Sequence, residues 1–239
     1  METPQAPVGG AFLIGEANTP ILTPETLPAE TRLIGKTVED FLRREVQPIA
    51  DRLEAHEEGL MHCLLQQAGE LGLLGAGIPE RYGGYDLPKS AIALLTEKAA
   101  INPSFAISAG VHSGVGQLPL LYFGTEAQKH QYLPQLASGA WIGAFALSEA
   151  GSGSDALAAK TRATLSPDGK HYLLRGEKMW ITNGGFADLF TVFAQVDGEQ
   201  FTAFLVERDF PGVTLGREEH KLGLRGSSTR RLLLEDAQV

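Results

Sequence analysis

Two stretches of the second half hold residue types that suit one kind of ligand. The first is Phe145-Ala146-Leu147-Ser148-Glu149-Ala150-Gly151-Ser152-Gly153-Ser154-Asp155, where a strand runs into a loop of small residues. Successive glycines and serines let backbone N–H groups approach a phosphate closely, and Ser148 and Ser154 add hydroxyl donors. The second is Lys178-Met179-Trp180-Ile181-Thr182-Asn183-Gly184-Gly185. Residues two apart on a strand share a side, so the Trp180 ring and the Thr182 hydroxyl can meet one ligand. Taken singly, the first also reads as a surface loop and the second as a core tryptophan beside a hairpin. Together in one β region, they suit a flat heteroaromatic group that carries phosphates.

Other chemistries are excluded by inspection. No GxGxxG opens a helix after a strand, and there is no Walker A loop, HExxH or GxSxG elbow. The six histidines are scattered, with none three to five residues from another, so no zinc site is expected on one helix. A single cysteine rules out an internal disulfide and any CxxC site. With 20 basic against 29 acidic side chains, a charge of −9, the chain does not fit a general nucleic-acid binder. Residues 1–28 carry no Lys or Arg, as a secretory or mitochondrial leader would, and no apolar run reaches the roughly 20 residues of a membrane span. A cytoplasmic protein is expected.

The elements that must position these stretches fall into two halves. Ile34, Val38, Phe41, Leu42 and Ile49 form a helical stripe, followed by Leu60, Leu64, Ala68 and Leu71. A loop is expected over 75–88. Ile92, Leu95 and Ala99 predict a third helix, stopped by Asn102-Pro103. A fourth is predicted from Ser104, as its cap, to about Phe123. Thr125 and Gln128 have capping-box spacing and open a fifth that Gly139 ends. From Trp141 the period becomes two, with strands predicted over 141–148, 171–176, 188–196, 201–207 and 231–235. Turn residues Ser166–Gly169 and Asp197-Gly198 separate neighbours. The expected fold class is α+β: an extended tail over 1–28, an all-α domain over 29–140, and an antiparallel β-barrel or sandwich over 141–239.

With these residues assembled, the chain resembles the acyl-CoA dehydrogenase flavoproteins over about 30–239. The family's T-E-P-x-A-G-S-D signature is seen as Ser148 to Asp155, with Ser148, Ala150 and Ser152 departing from it. G-x-K-x-W-I-(T/S)-N-G is matched by Gly176–Gly184, and K-x-G-x-R-x-S-x-T by Lys221, Gly223, Arg225, Ser227 and Thr229. Leu71-Gly72, Pro79–Gly84 and Phe123–Lys129 fit the helical segment. The Ser-Gly-Ser-Asp run, Val206-Glu207-Arg208 and Gly9–Ile14 are most similar to members acting on long or very long acyl chains.

The resemblance implies FAD as cofactor. It puts the Leu147 backbone and Ser148 hydroxyl at the pyrimidine end, and Gly153 and Ser154 near the phosphates, with Ser154 also at the acyl-CoA entrance. Trp180 would flank the isoalloxazine and Thr182 would donate toward N5, with Phe145 and Ile181 completing the contact set. Apolar side chains along 91–120 would wall the acyl pocket. The implied reaction is α,β-dehydrogenation of a fatty acyl-CoA to a trans-2-enoyl-CoA in β-oxidation. Electron-transfer flavoprotein is the implied acceptor and a homo-oligomer the implied assembly. The family's catalytic base is a Glu of a C-terminal helical domain, to which nothing here corresponds, so no catalytic residue is assigned. Residues 1–239 alone are expected to be inactive and to hold FAD weakly: a fragment, a truncated product or one partner of a split enzyme. A non-catalytic scaffold and a related oxidase or monooxygenase are the competing readings.

Overall fold

A computed structural model describes residues 23–198 and 200–239. Most of the tail predicted over 1–28, including Gly9–Ile14, lies outside the described residues. Its described end is not extended, because Pro24–Thr26 form a 3₁₀ turn and Leu27 is buried.

Helix α1 (Ala29–Phe41) passes into a π turn (Leu42–Val46) and a 3₁₀ turn (Gln47–Ile49) before α2 (Ala50–Glu54). The irregular turns lie around Pro48, whose nitrogen cannot donate to the preceding turn. Then follow α3 (Leu60–Glu70), α4 (Lys89–Ala99), α5 (Pro103–Ser113), α6 (Leu118–Phe123) and α7 (Glu126–Ser138). The loop predicted over 75–88 contains one 3₁₀ turn, Glu80–Tyr82, and Leu71 falls just beyond α3, largely exposed.

Two expectations about the fourth helix are corrected. Its cap is Asn102, not Ser104: the Asn102 Oδ1 accepts from the Phe105 amide at 2.9 Å, and Pro103 takes the first helical position, where its missing N–H costs nothing. Nor does it run to Phe123. Residues 114–117 separate α5 from α6, and the backbone of Gly116 there packs against β1. A Cβ on Gly143 would lie 3.0 Å from the Gly116 carbonyl oxygen. On α7 the Thr125/Gln128 capping box forms, and Gly139 closes the helix at φ 75°.

Among the described residues, seven strands make one sheet: β1 (Gly143–Ala146), β2 (Arg162–Leu165), β3 (Tyr172–Thr182), β4 (Leu189–Val196), β5 (Gln200–Glu207), β6 (Val213–Glu218) and β7 (Thr229–Gln238). Strands β2 and β6 were not foreseen: β2 has one buried residue in four, and β6 has none fully buried. The sheet is mixed, which corrects the antiparallel expectation. β4 pairs in parallel with β1 and with β2, and antiparallel with β5. Only a long connection allows a parallel pair, and the chain between β1 and β4, which contains β2 and β3, provides one.

One apolar cluster fills the helical half around Leu42, Leu65 and Phe105. A second fills the sheet around Leu174, Phe190 and Leu232, and a third spans both, from Leu133 and Leu136 to Leu189. Among the described residues, no helix is long and apolar enough to cross a membrane.

Candidate functional site

Strand β3 carries the second stretch and owes its shape to a bulge. Opposite β7, Lys178 pairs with Leu232 and Ile181 with Arg230, so Met179 and Trp180 together face the single Arg231. The extra residue inverts the alternation of the strand. Before the bulge, Leu174 and Lys178 point inward; after it, Ile181 and Asn183 do. Without it, Trp180 and Thr182 would share the interior side with Lys178. With it, Trp180 is 58% exposed at φ 58°, and Thr182 is half-buried.

The first stretch lies directly against this bulge. The Met179 amide donates to the Ser148 carbonyl at 2.9 Å, which joins the two stretches side by side. Phe145 on β1 is half-buried, its ring edge-on to Phe193 at 5.2 Å between centroids. Leu147 and Ser148 are half-buried, whereas Gly153 and Ser154 are exposed at the loop tip. Among the described residues, a Cβ on Gly153 would meet nothing within 4 Å, so there is room beside it. Ser152 is buried and gives its hydroxyl to the Asp155 carbonyl at 2.8 Å. Ile181 is buried and offers only its backbone to a ligand.

Four residues that the sequence reading gave no role hold this arrangement. Lys178 is fully buried and paired with Glu149 at 2.7 Å. Burial pushes the Glu149 carboxyl up, but hydrogen bonds from Lys178, Thr161 and the Lys160 amide outweigh it and hold the group below the usual carboxylate range. Burial also lowers the Lys178 ammonium, and Glu149 opposes that shift. Asn183, in the left-handed region at φ 67°, donates to the carbonyls of Ser108 (3.0 Å) and Gly143 (3.3 Å). Its Oδ1 and the Ser108 Oγ are buried and find no hydrogen-bond partner among the described residues. His112 on α5 accepts from the Gly143 amide at Nδ1 (2.9 Å) and meets the Leu136 carbonyl at Nε2 (2.9 Å). Desolvation lowers its pKa to about 4, so it is neutral. A lone buried histidine gives no sequence signal, and a Glu inside a glycine-serine loop gives only a weak one.

The third motif fastens the two halves together. Lys221 donates to the Ser227 carbonyl (2.7 Å), the Ser227 hydroxyl (2.9 Å) and the Thr229 hydroxyl (2.8 Å). Glu54 of α2 accepts from the Arg225 amide at 3.0 Å and from the Ser104 hydroxyl. In the helical half, a cavity of about 500 Å³ is lined by apolar side chains including Leu73, Ile92, Leu95, Phe105 and Ala109. Helix α5 therefore has two working faces. Phe105, Ala109 and Gly110 border the cavity, while Ser108 and His112 bind the sheet.

Comparison with known proteins gives this geometry a lineage. The family model for the acyl-CoA dehydrogenase N-terminal domain matches residues 28–140, and that for the middle domain matches 144–237. A Bacillus subtilis (strain 168) protein named "Probable acyl-CoA dehydrogenase" is 53% identical over 97% of this chain. The human mitochondrial very long-chain specific acyl-CoA dehydrogenase is 36% identical over 96% of it. The chain spans 39% of the length of the first relative and 38% of the second. A crystal structure of an acyl-CoA dehydrogenase complexed with FAD from Bacillus anthracis superposes with TM-score 0.90 at 53% identity, covering 92% of this chain and 38% of that one. Two family models in order along the chain, and a fold shared at more than half sequence identity, have one reading: the chain belongs to the acyl-CoA dehydrogenase family.

Proposed function

We propose that this chain forms the FAD site and part of the acyl pocket of an acyl-CoA dehydrogenase that takes long fatty acyl chains. The carrying observation is the Met179–Ser148 bond, which seats an outward-facing Trp180 beside a loop of exposed small residues. The residues present fit FAD. Trp180 offers a free aromatic face, Thr182 stands one strand repeat beyond it, and the open side of Gly153 leaves room for a phosphate. Bound FAD would supply a hydride acceptor for the β carbon of the thioester.

In this reading the Thr182 hydroxyl would donate to the flavin ring, and a preorganised donor there would stabilise negative charge on it. Ser148 and the Leu147 backbone orient the pyrimidine end. Gly153 and Ser154 hold the pyrophosphate and border the CoA entrance. The apolar cavity beneath α4 and α5 receives the acyl chain and excludes water. Glu149 is not the base for the α proton, because its carboxylate is occupied by Lys178, Thr161 and the Lys160 amide. No residue among those described is assigned as that base. Electron-transfer flavoprotein accepts the electrons, the complete protein is a homo-oligomer, and it works in the cytoplasm.

The test is a flavin spectrum of the complete natural polypeptide, followed by anaerobic addition of butanoyl-, octanoyl- or hexadecanoyl-CoA. Bleaching of the flavin by the longest thioester, with formation of its trans-2-enoyl product, is expected. A purified protein that stays colourless when offered FAD, or a flavin that no thioester bleaches, ends the proposal. Residues 1–239 alone are expected to hold FAD weakly and to leave every thioester unchanged.

A further inference from the structure

The loop after β1 leaves the sheet at Leu147 and returns at Thr161, and its neck is drawn together by one carboxylate. Glu149 accepts from the Lys160 amide (2.6 Å), the Thr161 amide (3.0 Å), the Thr161 hydroxyl (2.5 Å) and the Lys178 ammonium (2.7 Å). The same Lys178 Nζ donates to the Leu147 carbonyl at 3.1 Å. One ion pair therefore touches the residue before Ser148, both residues at the loop's return, and the base of the bulge that turns Trp180 outward. We propose that Glu149 and Lys178 are positioning residues that fix the spacing between the loop donors, Ser148 and Ser154, and the β3 groups, Trp180 and Thr182. This rests on the FAD-site reading above.

The physical argument concerns geometry more than stability. Removing two charges from water is costly, and a well-packed apolar pair of equal volume often stabilises a fold as much or more. An apolar pair, however, cannot accept bonds from two strands at once, so it would fill the volume without fixing the distance between loop and bulge. The packing around the pair is equally close. A Cβ on Gly176 would lie 2.4 Å from the Thr161 hydroxyl, so the strand passes directly under the residue that Glu149 holds. Beyond the neck, Gly151, Gly153, Ser154 and Asp155 are exposed. Gln195 of β4 also holds the loop's return, donating to the Leu157 (3.0 Å) and Ala159 (3.1 Å) carbonyls, but it touches neither Ser148 nor the bulge.

The test compares Lys178→Met, Glu149→Gln and the double variant in the complete polypeptide. Three quantities are read: the FAD dissociation constant, visible-range circular dichroism of the bound flavin, and the melting temperature of the flavin-free protein. Each single variant strands a buried partner, so both melting temperature and FAD affinity are expected to fall. The double variant is expected to regain most of the melting temperature while its FAD dissociation constant stays raised by about tenfold or more, with an altered flavin dichroism. A double variant that also regains parental affinity and dichroism overturns the proposal, since the pair would then be only structural.

If the single and double variants do not fold, Lys178→Arg decides. It keeps the charge but changes the donor geometry. Weakened FAD binding at unchanged melting temperature supports the proposal, and parental affinity overturns it. Should the parent bind no FAD, the FAD-site reading falls by itself. Amide hydrogen exchange over residues 150–158 of the flavin-free protein then still reads the tether: faster exchange in Lys178→Met supports it, and unchanged exchange overturns it.

Discussion

The Asn183 side-chain amide donates to the Ser108 carbonyl at 3.0 Å, joining the residue after Thr182 to the helix that borders the apolar cavity. Asn183 thus stands between the two parts of the proposed site. It ends the strand that presents Trp180 and Thr182, and it holds α5, whose opposite face lines the space for an acyl chain.

Replacing Asn183 by Ala removes the donor to two buried carbonyls and leaves a non-glycine residue at φ 67° without asparagine's tolerance for that region. A loss of about 1–3 kcal/mol is expected in urea denaturation. Asn183→Gly keeps the backbone conformation and is expected to be as harmful or nearly so, because the lost bonds dominate. A Gly variant as stable as the parent would show that conformation, not bonding, fixes this residue.

His112 makes folding stability depend on pH. Its pKa is about 4 in the folded protein, against the ordinary histidine value when unfolded. The unfolded chain therefore binds the extra proton first, so His112's contribution is complete above about pH 6.5 and is lost as pH falls toward 4. The contribution at stake is about 3 kcal/mol. His112→Gln, compared with the parent by denaturation at neutral and mildly acidic pH, is expected to have a lower stability at neutral pH and a flatter profile between these limits. Identical slopes would exclude His112 as the titrating group.

Trp180 separates fold from function. The residue is 58% exposed, so Trp180→Ala is expected to change stability by no more than about 0.5 kcal/mol. FAD binding, followed by quenching of flavin fluorescence, is expected to weaken on the order of tenfold, since an aromatic face is lost. Equal quenching in parent and variant would show that the ring does not face the flavin.

Glu54 ties α2 to the segment that precedes β7. Glu54→Ala frees the Arg225 amide and the Ser104 hydroxyl, and a loss of about 1–2 kcal/mol is expected. Trypsin is expected to cut faster after Arg217, Lys221 or Arg225, which limited proteolysis followed by mass spectrometry reads directly. Unaltered cleavage would mean that Lys221 and its hydroxyl partners hold this segment alone.

Much of the fold was legible because it depends on local chemistry. The Thr125–Gln128 box and Gly139 satisfy helix ends within a few residues, so their spacing is sufficient. The strand pattern located β1, β3, β4, β5 and β7 for the same reason. Asn102-Pro103 ends α4 as its chemistry predicts, but the same pair also begins α5, so Asn102 rather than Ser104 is the cap; β2 and β6 lack a local signal because so few of their residues are buried. The parallel pairings of β4 depend on contacts between distant segments, which no local pattern records.

The sequence by itself determined which residue types form the candidate site and to which family they belong, since signatures and turn chemistry are written in consecutive residues. Only the tertiary structure decided that Trp180 and Thr182 face outward, because a bulge measured against β7 inverts the strand. Only it decided that Glu149 pairs with Lys178, because the two lie 29 positions apart and meet across a loop. A charge in a small-residue loop is normally solvated. This one is buried because folding brings a lysine and the loop's own amides to it, and that enclosure is a property of the packed chain.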